Sequence, residues 1–230
     1  MYPKSLAPEM LDQLLAKGWF RMGQSIFTTE YTLFDHRMYQ TIWLRHVLKD
    51  YHETKTIRNL KKRNKAFRLE LKKVEITSTH EDLFSRYKGS VYFNTASSLN
   101  QLLNGYVIEE AQIFNTYEIN VYDKNKLIAC SYFDIGKKSA EGISSYYDPE
   151  YEKYSLGKYM IYLQIDVCRG NGFDFYYPGY FVPGFAHLDY KLAIGSDSLE
   201  FFSVEDFCWY PIAEYEPFGI PLHFQLYFGG

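Results

Sequence analysis

Residues 142–180 constrain the fold most. Gly142 to Tyr147 reads as a strand, and Asp148-Pro149 ends it because proline cannot donate to a β-ladder. Ser155 is suited to N-cap a helix running to about Arg169, with Leu156, Tyr159, Met160, Leu163 and Val167 along one stripe. Beyond Gly170 and Gly172, Asp174 to Tyr177 reads as a second strand. Strand, crossover helix and strand predict a mixed α/β sheet. Tyr176, Tyr177 and Tyr180 gather where the second strand ends.

The remaining elements are legible with varying clarity. Ala7 to Lys17 has the apolar spacing of an amphipathic helix, and Gly18 is a natural stop. Trp19 to Phe34 alternates aromatic and polar residues and predicts one or two strands. His46 to Asn64 reads as a helix, followed by a change to period two near residue 66. Glu81 to Lys88 and Ala96 to Leu103 read as helices. Tyr117 to Tyr122 and Lys126 to Phe133 read as strands joined by a turn at Asp123-Lys124-Asn125. Ser198 to Trp209 supplies further strands. The expected division is an N-terminal region over residues 1–80 and a second domain over 81–230.

Composition decides little by itself. The chain has 230 residues, enough for one large core or two small ones. Its 23 tyrosines and 18 phenylalanines are compatible with stacking on bases and equally with tyrosine-lined strands. Three cysteines (Cys130, Cys168, Cys208) lie far apart, as expected for reduced thiols, and none has zinc-ligand spacing to a Cys or His. No metal site is expected. The absence of a basic region followed by an apolar run, or of a membrane-length apolar stretch, leads to the expectation of a cytoplasmic protein. Net charge is only −3, yet Lys55 to Lys73 holds nine basic residues against Glu70 alone. Arg58, Lys61, Lys62 and Arg63 are therefore candidates for phosphate contact, or simply a solvated helix face.

The order Tyr147-Asp148-Pro149, Ser155-Leu156-Gly157, Gly179-Tyr180 and Tyr190-Lys191 resembles the C-terminal domain of the arginyl- and leucyl-tRNA–protein transferases. Leu14 to Arg21, Arg58 to Asn64 and Leu83 to Tyr87 resemble earlier segments of the same family. The resemblance implies a GNAT-like acyltransferase fold, α/β with mixed sheet, and a smaller N-terminal α/β region packed on it. It implies transfer of arginine or leucine from charged tRNA to the α-amino group of an acceptor protein. Aminoacyl-tRNA is then the donor substrate, and no separate cofactor is expected. One departure stands out: where the family usually carries a cysteine cluster, residues 28–36 contain none. Thiolate ligation there is excluded.

An aminoacyl ester is already activated, so the required work is orientation of two groups and stabilisation of a tetrahedral oxyanion. Asp148 is a candidate for orienting the amine, or a turn former before Pro149. Tyr177 and Tyr180 are candidates for donating to the oxyanion or stacking on the terminal adenine, or an aromatic core edge. Lys191 is a candidate for contacting phosphate or the oxyanion. Tyr147, Ser155, Leu156 and Tyr190 join them as substrate-binding candidates through the resemblance. Gly157 would permit close backbone approach, and Gly179 a sharp exit from its strand. Glu141 is a candidate base for an ordinary GNAT acetyltransferase, but reads rather as a solvated loop carboxylate. Two other classes remain open: an acyl-CoA-dependent N-acyltransferase, disfavoured by a single glycine in residues 154–159, and a non-catalytic tRNA- or protein-binding chain.

Overall fold

The computed structural model describes residues 5–34, 37–91, 96–105 and 112–216. In chain order these form α1 (Pro8–Ala16), β1 (Phe20–Met22), β2 (Ser25–Phe27), β3 (Tyr31–Phe34), β4 (Arg37–Gln40), β5 (Ile42–Val47), α2 (Lys55–Asn64), β6 (Arg68–Lys73), α3 (Ser78–Lys88) and α4 (Leu99–Asn104). There follow β7 (Thr116–Asp123), β8 (Lys126–Ile135), β9 (Ser139–Tyr147), α5 (Leu156–Gly170), β10 (Phe175–Phe181), β11 (Leu199–Ser203) and β12 (Cys208–Pro211). Eight strands make one sheet in the order β12-β11-β5-β10-β9-β8-β7-β6. Only β9 and β10 run parallel within it, joined by α5, which confirms the mixed α/β reading. None of the described helices is long and apolar enough to cross a membrane.

Each sheet face is covered for a reason visible in its side chains. α5 and α2 lay Leu156, Met160, Ile165, Ile57 and Leu60 over Val121, Ala129, Phe133 and Ala140. Leu11 and Leu15 of α1 pack with Phe20 and Ile26 of the β1–β2 hairpin against Trp43, Tyr177 and Phe202. Leu83 and Phe84 of α3, with Leu99 and Leu103 of α4, meet Cys130, Tyr132 and Tyr146. A ring of about this burial stabilises by roughly 2–3 kcal/mol per side chain.

The helix expected over His46 to Asn64 exists only in its second half. Residues 42–47 form β5 between β10 and β11, with Ile42, Trp43, Leu44 and His46 all buried. A strand covered on both faces loses the period-two signal, so it is easily read as helix. Thr54 then caps α2, accepting the Ile57 N–H at 3.3 Å. β5 and β6 both precede residue 80, so the central sheet draws strands from both sides of that boundary. Glu141 is likewise no loop residue: it lies buried in β9 and accepts the Arg21 amide at 3.0 Å.

Candidate functional site

β9 and β10 pair over three residues only, from Ser139/Phe175 to Glu141/Tyr177. Both strands continue, β9 to Tyr147 and β10 to Phe181, without pairing to one another. The local sequence explains the parting. Pro178 has no N–H for the ladder. Gly179 adopts φ +85°, and Tyr177 with Pro178 bulges opposite Arg45 of β5. On β9, Ile143 is the extra residue in a bulge against β8, next to Gly142. A Cβ on Gly142 would stand 2.6 Å from the Tyr176 hydroxyl, so only glycine fits there. Bulges on both strands at the same level open a V in the sheet. Gly179 thus sits inside β10, paired with Leu44 next to the bulge, a correction to its expected place at the strand exit.

Lys191 stands at this opening. It ends the short 3-10 segment Ala186–Lys191, and its Nζ donates to the Tyr180 carbonyl at 2.7 Å. A Cβ on Gly179 would lie 3.3 Å from that nitrogen, so glycine keeps room for the amine. No carboxylate among the described residues forms an ion pair with Lys191. Burial lowers its pKa to about 8. Tyr180 lies beneath, its ring 5.5 Å from Nζ and edge-on to Trp43 at 4.9 Å.

The other arm of the V carries Tyr147, whose ring lies 3.5 Å from where a Gly157 Cβ would stand. Tyr147 meets Tyr87, from the last turn of α3, at 5.5 Å between centroids. Burial, and then the neighbouring Tyr147, raise the Tyr87 phenol to about 12, while burial, then Tyr87 and Tyr147, raise that of Tyr190. Tyr87 escaped sequence reasoning as a site residue, because nothing in a helix sequence tells which turn reaches the opening.

α5 begins beside this cluster. Ser155 occupies its N-cap position in the left-handed region (φ 53°, ψ 46°), and its hydroxyl makes no capping bond. The first ladder bond is Tyr159 N–H to Ser155 C=O at 3.1 Å. The amides of Leu156, Gly157 and Lys158 therefore precede the ladder and favour an anion. The strained Ser155 conformation costs about 1 kcal/mol or more in isolation.

The structure separates some of the remaining candidates from the opening. Tyr177 is buried with Phe20 and Trp209, at centroid distances of 6.3 and 5.6 Å, on the face opposite α5. Asp148 is buried, caps the turn after Pro149 by accepting the Glu150 N–H at 3.1 Å, and pairs with Lys126 at 2.9 Å and Arg86 at 3.4 Å. Burial pushes its carboxyl up, but these cations and the amide outweigh it and hold the pKa below the usual range.

Of the basic candidates, Lys61 is engaged, bonding Glu53 and Asp166. Arg58 donates to the Glu53 carbonyl at 2.5 Å and Arg63 to the Lys153 carbonyl at 3.0 Å, yet both remain exposed, as does Lys62. The Arg63 contact and the bond from Asn64 to the Tyr154 carbonyl at 3.1 Å bring the end of α2 to the start of α5.

Comparison with known proteins follows the same lines. The family described as "Arginine-tRNA-protein transferase, C terminus" matches residues 79–199, more than half of the chain. The "Aspartate/glutamate leucyltransferase" of Helicobacter hepaticus is 26% identical over 197 residues, covering 82% of this chain and 78% of that protein. Among solved structures, FemX superposes with TM-score 0.50 at 9% identity, over 83% of this chain and 65% of that one. A GCN5-related N-acetyltransferase from Kribbella flavida superposes at TM-score 0.35 and 12% identity, over 66% of this chain and 50% of that one.

Proposed function

The chain belongs to the arginine-tRNA–protein transferase family, an aminoacyltransferase family, and from that premise we propose that it moves leucine from leucyl-tRNA to proteins beginning with Asp or Glu. The donor and acceptor follow the names of its curated relatives. The observation that carries the chemical reading is Lys191, an ammonium without a carboxylate partner among the described residues, held at the opening between β9 and β10.

In this reading the neutral acceptor α-amine attacks the ester carbonyl between the two arms. The C–N bond forms as the carbonyl becomes an oxyanion; the C–O bond to the tRNA ribose then breaks, and the proton lost by the nitrogen ends on the departing ribose hydroxyl. Lys191 donates to the oxyanion while protonated. The free amides at the start of α5 face a backbone phosphate of the tRNA terminus. Exposed Lys62, Arg63, Lys153 and Lys158 continue that positive path away from the opening. The rings of Tyr87, Tyr147 and Tyr190 give the donor side chain an apolar wall. An uncompensated ammonium nearby disfavours a guanidinium, which argues for leucine over arginine.

The test incubates purified protein with tRNA charged with labelled leucine or labelled arginine, and with peptides beginning Asp, Glu or Arg. Label from leucyl-tRNA in the acidic peptides is expected. Label only from arginyl-tRNA overturns the donor assignment. No label from either, where a known transferase works in parallel, overturns the transferase reading for this chain.

A further inference from the structure

Behind the V, α3 starts over a buried cluster that the proposed transfer does not use. His80 Nε2, Glu118 Oε1 and Cys130 Sγ all lie within 4.8 Å of one another, and all three residues are buried. They come from the first turn of α3 and from the adjacent strands β7 and β8, far apart in sequence, which is why ligand spacing gave no sign of them. His80 and Glu118 are each held at their other polar atom, and the Cys130 thiol is hydrogen-bonded to Tyr132 and Tyr146. His80 Nδ1 lies 2.7 Å from Thr77 Oγ1 and 3.3 Å from the Thr77 amide. Glu118 Oε2 accepts the Glu75 amide at 3.2 Å, which turns Oε1 toward the cluster. Oε1 also accepts the Asn120 amide at 2.9 Å, and Lys72 stands 3.4 Å from it. Asn120 Oδ1 lies 3.2 Å from His80 Nε2.

We propose that His80, Glu118 and Cys130 form a structural zinc site. Nitrogen, oxygen and sulfur donors together suit zinc, with bonds of about 2.0–2.3 Å that set ligand atoms roughly 3.3–3.8 Å apart. The 3.5 Å between His80 Nε2 and Glu118 Oε1 already meets that spacing. Asn120 Oδ1, 3.2 Å from His80 Nε2, is available as a further oxygen donor. Binding displaces the Cys130 thiol proton to solvent and shifts the His80 proton from Nε2 to Nδ1, where it is donated to Thr77 Oγ1 in place of the Thr77 N–H that Nδ1 otherwise accepts. One dication then balances one thiolate and one carboxylate, and Lys72 keeps Glu75 as its partner at 3.1 Å. The site ties the start of α3 to β7 and β8. The last turn of α3 carries Arg86 and Tyr87, so the metal holds one wall of the opening from behind.

The test measures zinc by elemental analysis after dialysis of the whole chain against buffered zinc. One equivalent per chain is expected, with loss of at least tenfold in occupancy in Cys130→Ser and His80→Gln. Cobalt substitution of the wild type should give a thiolate-to-cobalt charge-transfer band, and a chelator should lower the melting temperature. Absence of bound metal, or bound metal unaffected by both substitutions, overturns the proposal. If the variants do not fold, the wild-type cobalt spectrum decides: no sulfur band overturns it. All these readouts are independent of transfer activity.

Discussion

Lys191 is kept at a cost to stability. Its folded pKa of about 8 lies below the ordinary 10.5 because burial penalises the charge. Between those values the unfolded chain binds the proton and the folded chain does not, so stability rises with pH across that window. Below pH 8 the penalty is fully present. Lys191→Met should therefore raise stability at pH 7 by about 2 kcal/mol, a gain that fades above pH 10 in urea titrations. The same change should lower kcat about 100-fold or more if the ammonium serves the oxyanion. Wild-type transfer should then fall as pH rises through 8. Arg21 shows the opposite balance. It is buried, pairs with Asp134 at 2.8 Å, and reaches the Leu103 carbonyl at 2.5 Å and Thr116 Oγ1 at 2.7 Å. Burial, then the nearby Asp134, push the Glu141 carboxyl well above its usual range, which the Arg21 contacts only partly offset. Arg21→Met should cost about 3–5 kcal/mol in denaturant unfolding, because Asp134 is left unpaired. Sequence singled out Lys191 and Arg21 through short motifs. It could not show that one lacks a counter-ion among the described residues while the other pairs with Asp134, a partner 113 residues away.

At the scale of elements, the bulge at Tyr177-Pro178, followed by Gly179, makes the opening. Gly179→Ala forces a left-handed alanine, costing roughly 1–2 kcal/mol, and sets a Cβ at 3.3 Å from Lys191 Nζ. The expected result is a fall in kcat/KM of roughly tenfold or more with the fold retained by circular dichroism. Proline and glycine in series were legible as an interruption, but not as one inside a strand that keeps pairing with β5 on its other side. α2 makes a second distinction. Lys62→Glu should weaken tRNA binding and reduce its salt dependence while leaving stability within about 0.5 kcal/mol. Lys61→Glu should instead lower stability measurably, because it breaks the contacts to Glu53 and Asp166. Equal effects of the two on both binding and stability would contradict this division of the helix. The sequence presents the two lysines as neighbours in one run; only the packing of α2 on α5 turns one inward.

At the scale of the molecule, β5 is the piece that joins the chain into one sheet. It lies between β10 and β11, so removing residues 1–80 takes away both partners' shared neighbour. A fragment of residues 81–230 is expected to be unfolded or aggregated, with poor amide dispersion in NMR; a folded, dispersed fragment would restore the division at residue 80. What the sequence by itself determined is local or periodic: the strand–helix–strand at 142–180, the antiparallel meander before it, the helix stop at Gly18, and the ordered motifs that mark the family. Those signals arise from side-chain periodicity and turn chemistry, which act over a few residues. Tertiary structure alone decided that 42–47 is a central strand, that Tyr177 faces the core while Tyr147 faces the opening, and that Lys191 stands without a carboxylate among the described residues. Each of these depends on which face of a pleated strand meets solvent and which distant groups surround it, and a one-dimensional pattern carries neither.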